Sequence, residues 1–421
     1  MSGRSIVAVS WCMPPALYPR SVQVARTFKG LRRLGWHSTV ITASLASVPK
    51  TDVIDRDLHS AYAPNYDLVP VDITRVDQKT GPLVARWRER LNGDAAATVE
   101  DIWVKRAAAA TMSAIRTTQP SALVTFAQPW RDHLVGLRVR AQHAQLPWVA
   151  HFSDPWTDSL YAGTAGASEL ANEAAVIEQA DRVVFTNPYA AELVMKKYPA
   201  AYRDKARVVV HAMDPDLIPP GAQPLPAAGR PLRIGHFGNL FAGQRTAVAL
   251  LDALAAIDKV RPLAGRLELQ LVGGGSGLLE AQEQVFVRRL ERIVTFQVRV
   301  PYAESLALMR ASDMLLLIDA PAAVNVFLPS KLVDYLMAGR PVIALTPSAG
   351  APADVMRSLG YPIVDPDDAA GIAATLDRVL RDFERGDAMR PAPASAHAQF
   401  SLEATATAFG AVLDEIVERA A

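Results

Sequence analysis

A chain of 421 residues is long for one hydrophobic core, so two domains of about 200 residues each are expected. Forty-four Lys and Arg against 43 Asp and Glu leave a formal net charge of +1, without the basic excess that marks a nucleic-acid binder. Cys12 is the single cysteine, which excludes an internal disulfide and a cysteine-built zinc site. Nowhere do eighteen apolar residues run together, so no transmembrane helix is expected. The run from Met1 to Ser10 is too short and too quickly polar for a signal peptide, and the chain reads as cytoplasmic.

Ile6 to Ser10 is a first apolar strand, followed by a proline-bearing loop from Met13 to Ser21. Ser21 is a suitable cap for the next helix, whose apolar positions Val22, Ala25, Phe28, Leu31 and Leu34 keep helical spacing up to Gly35. Ser38 to Thr42 is the next strand, and the β-loop-α-β order predicts a doubly wound α/β domain. In such sheets ligands lie outside the carboxyl ends of strands, which places Arg20 and Ser21 beside one. Residues 50 to 81 are polar and irregular and yield no element. Residues 82 to 118 read as a helix, with Trp87 and Trp103 among Arg86, Arg88, Arg90, Lys105 and Arg106. Such a helix either lies on an anionic membrane or holds a lipid-linked substrate, or is an ordinary amphipathic surface helix.

The α/β rhythm resumes with strands at 122–126, 148–152, 182–186 and 206–210, with a helix from Tyr189 to Tyr198 before the last. His133 and Asp154 fall in turn-rich strand exits, where a cleft is expected; His151 reads better as satisfying backbone groups. Residues 215 to 231 hold six prolines and two glycines, the clearest linker in the chain. A second α/β series follows, with strands at 232–237, 267–272, 293–296, 314–318, 342–345 and 361–364. Gly238 and Gly243 allow backbone to approach a ligand in the first exit loop. Arg245, expected to open the next helix, suits bidentate contact with phosphate. The glycine run Gly273 to Gly277 is either a nucleotide-binding turn or a tight turn, and lacks G-x-G-x-x-G spacing with its acidic partner.

The stretch from Phe327 to Ala344 carries the densest information. Pro329 suits a helix start, Leu332, Val333, Leu336 and Met337 form a buried stripe, and Gly339 with Pro341 stops the helix before an apolar strand. Lys331 and Asp334 share a face beside the helix N-terminus. They are either a solvated pair worth about 0.2–0.5 kcal/mol or contacts for an anionic, ribose-bearing ligand. A helix at 368–384 and a final amphipathic helix from Leu402 to Arg419 close the chain.

These residues together resemble the GT-B glycosyltransferases, in particular the retaining, nucleotide-sugar-dependent family 4. The resemblance rests on Gly238-Asn-Leu with Arg245, Leu271 to Gly275, Val300-Pro-Tyr302, Ala311-Ser-Asp313 and Pro329 to Val342. Pro14-Pro15, Arg20-Ser21, Leu34-Gly35-Trp36 and Asp154-Pro-Trp156 add to it in the first half. It implies two Rossmann-like domains facing across a cleft: an acceptor-side domain at 1–214 with the helix 401–421 packing back on it, a linker at 215–231, and a donor domain at 232–400. Arg245 and Lys331 then resemble the cationic pair on the donor diphosphate, with backbone N–H groups at Ser330. Asp334 matches the ribose contact, Arg299 and Val300 the base-lining loop, and His133 the histidine on the donor sugar. Gly238 and Asn239 complete the donor side; Arg20, Ser21 and Asp154 face the acceptor.

Three positions depart from the family pattern. Ala16 to Pro19 stand in place of a glycine pair, Val298 replaces a glycine, and Val326 occupies the place of the first of two paired glutamates, beside Asn325. The expected activity is transfer of a sugar, with retention, from a nucleoside diphosphate donor to a carbohydrate, lipid-linked or small-molecule acceptor. No metal or cofactor is implied, because no Asp-x-Asp lies in a suitable loop. A sugar-nucleotide epimerase of the same fold and a catalytically degenerate nucleotide-sugar-binding protein remain the alternatives. A peripheral position at the inner face of a membrane follows only if residues 82–118 make that contact.

Overall fold

The computed structural model describes residues 4–47, 53–73, 98–159, 165–218 and 229–420. The chain divides into unit 1, Met1–Ala212 with Leu402–Ala421, and unit 2, Met213–Ser401. The sheet of unit 1 runs β1 (Ser5–Val9), β2 (His37–Ala43), β3 (Asp67–Val71), β4 (Ala122–Phe126), β5 (Trp148–Ser153), β6 (Arg182–Phe185) and β7 (Ala206–Val208). Its spatial order is β3-β2-β1-β4-β5-β6-β7, every pairing parallel. Unit 2 repeats the plan with β8 (Leu232–Phe237), β9 (Leu267–Gly273), β10 (Val294–Val298), β11 (Met314–Ile318), β12 (Val342–Leu345) and β13 (Ile363–Val364), ordered β10-β9-β8-β11-β12-β13. Strands β4, β6, β11 and β12 are buried at every residue, as a parallel sheet covered on both faces demands.

Residues 53–73, within the stretch that reads as polar and irregular, contain the helix Arg56–Tyr62, capped by Asp55, and β3. Among the described residues strand β3 pairs only with β2, and at such an edge Pro70 and the outer Asp67 are tolerated although they hide the strand pattern. The long helix described in this region is Val99–Thr118, started by a capping box between Thr98 and Asp101. The expected stretch 82–97, with Trp87, Arg86, Arg88 and Arg90, lies outside the described residues. Trp103 is fully buried and donates its indole N–H to Asp132 at 2.7 Å, so it offers no surface to a membrane. Among the described residues no helix is long and apolar enough to cross one.

The last helix, Leu402–Ala420, lies against Pro19–Arg33. A Cβ at Gly30 would stand 2.7 Å from that of Ala406, which explains the glycine at the crossing. Glu415 of this helix accepts from Arg182 of β6 and from Arg207 of β7. Those hydrogen bonds hold its carboxyl down at about 2. A depressed carboxyl contributes stability above its unfolded value near 4.5 and loses it as pH falls towards 2. Glu415→Gln should therefore lower the melting temperature of the chain at pH 7 and lose most of that effect at pH 3, as followed by circular dichroism.

Candidate functional site

The strand order of unit 2 reverses between β8 and β11, and open parallel sheets bind ligands outside the strand ends at such a point. Gly238 leaves β8 with φ +152 and donates its N–H to Val272 of β9 at 2.8 Å. Gly273 leaves β9 so close to it that a Cβ there would lie 2.0 Å from the Gly238 carbonyl oxygen. Leu240 N–H donates to Gly274 O at 2.9 Å and Gly277 N–H to Leu240 O at 3.0 Å. The glycine run thus packs backbone against backbone, forming a socket under the 238–242 loop.

Arg245 does not open a helix. It closes a turn in which its N–H and carbonyl each bond Phe241, at 2.9 and 2.8 Å, and its guanidinium lies 5.7 Å from the Phe241 ring centroid; the helix begins at Val248. Lys331 is the second residue of the helix Ser330–Ala338, whose cap is Pro329 and has no side-chain bond to the first turn. The lysine runs over Gly238, where a Cβ would meet its Cδ at 3.3 Å, and Nζ donates to Ile318 O at 2.9 Å. Burial, and next the neighbouring Arg245, push the ammonium down to about 7, while Asp319 pulls it up. Lys331 and Asp334 are therefore not a solvated pair: Asp334 accepts instead from the Tyr302 hydroxyl at 2.8 Å. Tyr302 follows the loop in which Arg299 donates to Asn239 Oδ1 at 3.1 Å and Val300 is buried.

His236 Nδ1 faces the Leu316 carbonyl at 2.9 Å, so the proton sits on Nδ1 and Nε2 is a buried acceptor without a partner. Burial, then Lys331, hold this ring neutral, well below the usual histidine range. Tyr335, fully buried, accepts from Phe237 N–H at 2.8 Å and approaches Leu316 O at 3.2 Å, tying the helix to β8 and β11. Asn325 is committed within its own loop, to Asp319 and to the Phe327 N–H, and so does not stand in for the glutamate absent at Val326.

In unit 1 the expected residues turn inward. His133 is fully buried, stacked on Phe152 at 4.7 Å, with Nδ1 2.8 Å from Thr125 Oγ1. Burial pushes it down to about 3, and it has no face to present to a sugar. Ser21 is not the N-cap of the helix Pro19–Arg33, a place Tyr18 holds, but its Oγ accepts from the Tyr18 N–H at 3.1 Å from the third helical position. Its hydroxyl is spent on Ala16 O at 2.6 Å and Tyr18 O at 2.9 Å, so it is not an acceptor contact. Arg20 directs Nη2 to His151 Nδ1 at 3.0 Å and lies over the Phe126 ring at 5.4 Å. Arginine only donates, so His151 Nδ1 accepts, and burial keeps that ring neutral. Arg20 is itself pushed down to about 10 by burial, against the pull of Asp154. Asp154 stays partly exposed, with Oδ2 3.4 Å from Gln128 Nε2.

Unit 2 thus gathers Gly238, Asn239, Arg245, Arg299, Ser330, Lys331 and Asp334 beyond the carboxyl ends of its strands. His236, Tyr302, Asp319 and Asn325 join them, and sequence reasoning did not assign those roles. The signals available were polar residues at the ends of the apolar runs 232–237 and 314–318. Two parallel sheets, each flanked by helices and reversing at its centre, give the chain the GT-B fold of the solved structures it resembles. More particularly, residues 231–382, all within unit 2, match the family model described as glycosyl transferases group 1. A curated relative, D-inositol 3-phosphate glycosyltransferase 1 of Catenulispora acidiphila, is 29% identical over 244 residues, 54% of this chain and 56% of that protein. The alignment thus spans about half the length of that relative.

Among solved structures, sucrose-phosphate synthase from Thermosynechococcus elongatus superposes with a TM-score of 0.68 at 19% identity, covering 99% of this chain and 100% of that one. Anabaena HepE, solved in complex with UDP and glucose, gives 0.67 at 16% identity over 98% and 99%. At those identities the likeness shows the fold alone.

Proposed function

We propose that this chain is a retaining glycosyltransferase that moves a sugar from a nucleoside diphosphate donor to an acceptor, in glycan, glycolipid or glycosylated-metabolite biosynthesis in the cytoplasm. The observation that carries the reading is the placement of two cations, Arg245 and Lys331, at the strand-order reversal, close enough that Arg245 helps push the Lys331 ammonium down. The open first turn at Ser330 adds backbone N–H groups and a helix dipole to the same place. In this reading the diphosphate lies between Arg245, Lys331 and that turn. Asp334 takes the ribose hydroxyls with Tyr302 as its support, and the Arg299–Val300 loop lines the base. Positive charge aimed at the departing diphosphate stabilises the bond-breaking transition state in the way a metal ion does elsewhere, so the proposed step uses no metal or cofactor. HepE in complex with UDP, and with UDP-glucose, supports a nucleotide sugar as donor class. The acceptor is proposed only as a carbohydrate, a lipid-linked molecule or a small molecule, with Asp154 the partly exposed candidate contact.

The test is calorimetric titration of UDP and of GDP, with a chelator present, into wild type and Arg245→Ala. One nucleotide is expected to bind without metal, and the variant to bind it about 10–100-fold more weakly, the worth of a charge-assisted hydrogen bond. Equal affinity in both proteins, or binding that requires a divalent ion, overturns the reading.

A further inference from the structure

Asp319 follows β11 directly, on the opposite side of the strand-order reversal from Gly238, and is 2% exposed. Its Oδ2 accepts from Asn325 Nδ2 at 3.1 Å. The orientation of that amide is fixed, because the Phe327 N–H can only donate and lies 3.1 Å from Asn325 Oδ1. Asn325 is itself held from a second loop: its N–H donates to Ala349 O and its carbonyl accepts from Ala351 N–H, both at 2.9 Å. Gly350 lies between those two residues at φ +122, where a Cβ would stand 2.1 Å from Asn325 O. The carboxylate is therefore locked in place from two loops, yet its other oxygen, Oδ1, is buried with no hydrogen-bond partner. A buried carboxylate oxygen left so is costly unless a positive charge lies close by.

A positive charge close by is identified by the backbone: the carbonyl preceding Asp319, Ile318 O, is the acceptor of Lys331 Nζ, and Asp319 acts on that ammonium. Asp319 acts to hold the charge on Lys331, and the other groups around the lysine are differently engaged. Arg245, from the loop after β8, is a like charge, and His236 of β8 is neutral. On the lysine's own helix, Asp334 bonds Tyr302, and the Tyr335 hydroxyl bonds Phe237 and Leu316. Because Oδ1 is sealed from solvent, it is poorly placed to receive a sugar hydroxyl and well placed to act through the lysine.

We propose that Asp319 is a positioning residue that keeps the Lys331 ammonium charged and aimed at the donor diphosphate, so that the two cations stand ready before the nucleotide arrives. This rests on the reading that Arg245 and Lys331 hold a nucleoside diphosphate. Burial and Arg245 work to remove the proton from Lys331 near neutral pH, and Asp319 works to retain it. Removing the carboxylate lowers the pH at which the lysine discharges. Below that pH the same removal relieves repulsion of the phosphates.

The experiment is UDP and GDP titration of wild type, Asp319→Asn, Lys331→Arg and the double variant, at pH 6 and pH 8.5, each compared with wild type at the same pH so that titration of the nucleotide cancels. Asp319→Asn is expected to bind as tightly as wild type or more tightly at pH 6 and about tenfold more weakly at pH 8.5, because the lysine then discharges at a lower pH. With arginine at 331, which keeps its charge, the same substitution should produce no pH-dependent loss. If Asp319→Asn follows wild type at both pH values, or weakens binding by one factor at both, Asp319 is only a structural support and the inference fails. If wild type binds neither nucleotide, or Arg245→Ala binds as tightly as wild type, the diphosphate reading itself fails, and Asp319 falls with it.

Discussion

Gly273→Ala is expected to destabilise unit 2 by about 3–5 kcal/mol and to abolish nucleotide binding, the largest stability effect of any substitution considered. The cause is local and backbone-made. The new Cβ would lie 2.0 Å from the Gly238 carbonyl oxygen and 3.3 Å from its nitrogen, at a residue whose φ is +154. The obstacle is not the end of a flexible side chain, so relief requires the loops after β8 and β9 to separate. Separation breaks the Gly238 N–H bond to Val272 and removes the floor beneath Lys331. The control is one residue away: at Gly274 a Cβ would meet only Asn239 Oδ1, at 3.6 Å, an ordinary contact. Gly274→Ala should therefore unfold close to wild type. A chain of two units need not unfold in one step, so amide hydrogen exchange of β8 and β9 is the appropriate measurement. Equal protection in the two alanine variants would show that the socket yields more easily than its geometry implies.

Much of this architecture is legible in the sequence because parallel strands covered on both faces leave uninterrupted apolar runs. Met314–Ile318 and Val342–Leu345 can be read in no other way once the helix between them has a proline at one end and Gly339 at the other. Gly339 adopts the left-handed conformation at φ +67 that a helix stop predicts. Strand β3 escaped for the opposite reason, since an edge strand with Asp67 and Pro70 has neither run nor alternation.

The candidate site divides along the same physical line. Arg245, Lys331 and Asp334 could be named as candidates because loop glycines and a helix start have local signatures. Asp319, His236 and Asn325 were not, because burial of a polar group at a strand end is decided by which loops close over it. In unit 1 the strand exits could be located, but the directions of side chains could not. His133 lies in the first turn of the helix Arg131–Arg140, three residues before Gly136, where a Cβ would stand 2.3 Å from the Trp148 ring. That spacing puts His133 on the inward face, and a glycine chosen for close packing was the one available sign. Ser21 was misread through a one-turn error in the helix start, which moved it from cap to third helical position.

Lys331→Ala is expected to lower kcat by about 10²–10³-fold while changing KM for the nucleotide sugar less than about tenfold. The direction follows from where charge develops. The intact donor already carries a charged diphosphate, but that group gains further negative charge as the bond to the sugar breaks. A cation beside it interacts more strongly with the transition state than with the bound donor, and only that difference accelerates the step. The same asymmetry predicts that the variant loses more affinity for the free nucleoside diphosphate than for the nucleotide sugar. Residual turnover should remain, because Arg245 and the uncapped first turn at Ser330 still face the leaving group. Lys331→Arg keeps the charge on a longer, forked side chain and should recover part of the loss without restoring the wild-type rate. Donor hydrolysis, or transfer to any acceptor found in a panel, provides the measurement, with kcat and KM determined separately. A raised KM with kcat unchanged would mean that Lys331 only anchors the donor, and the bond-breaking step would then need another source of positive charge.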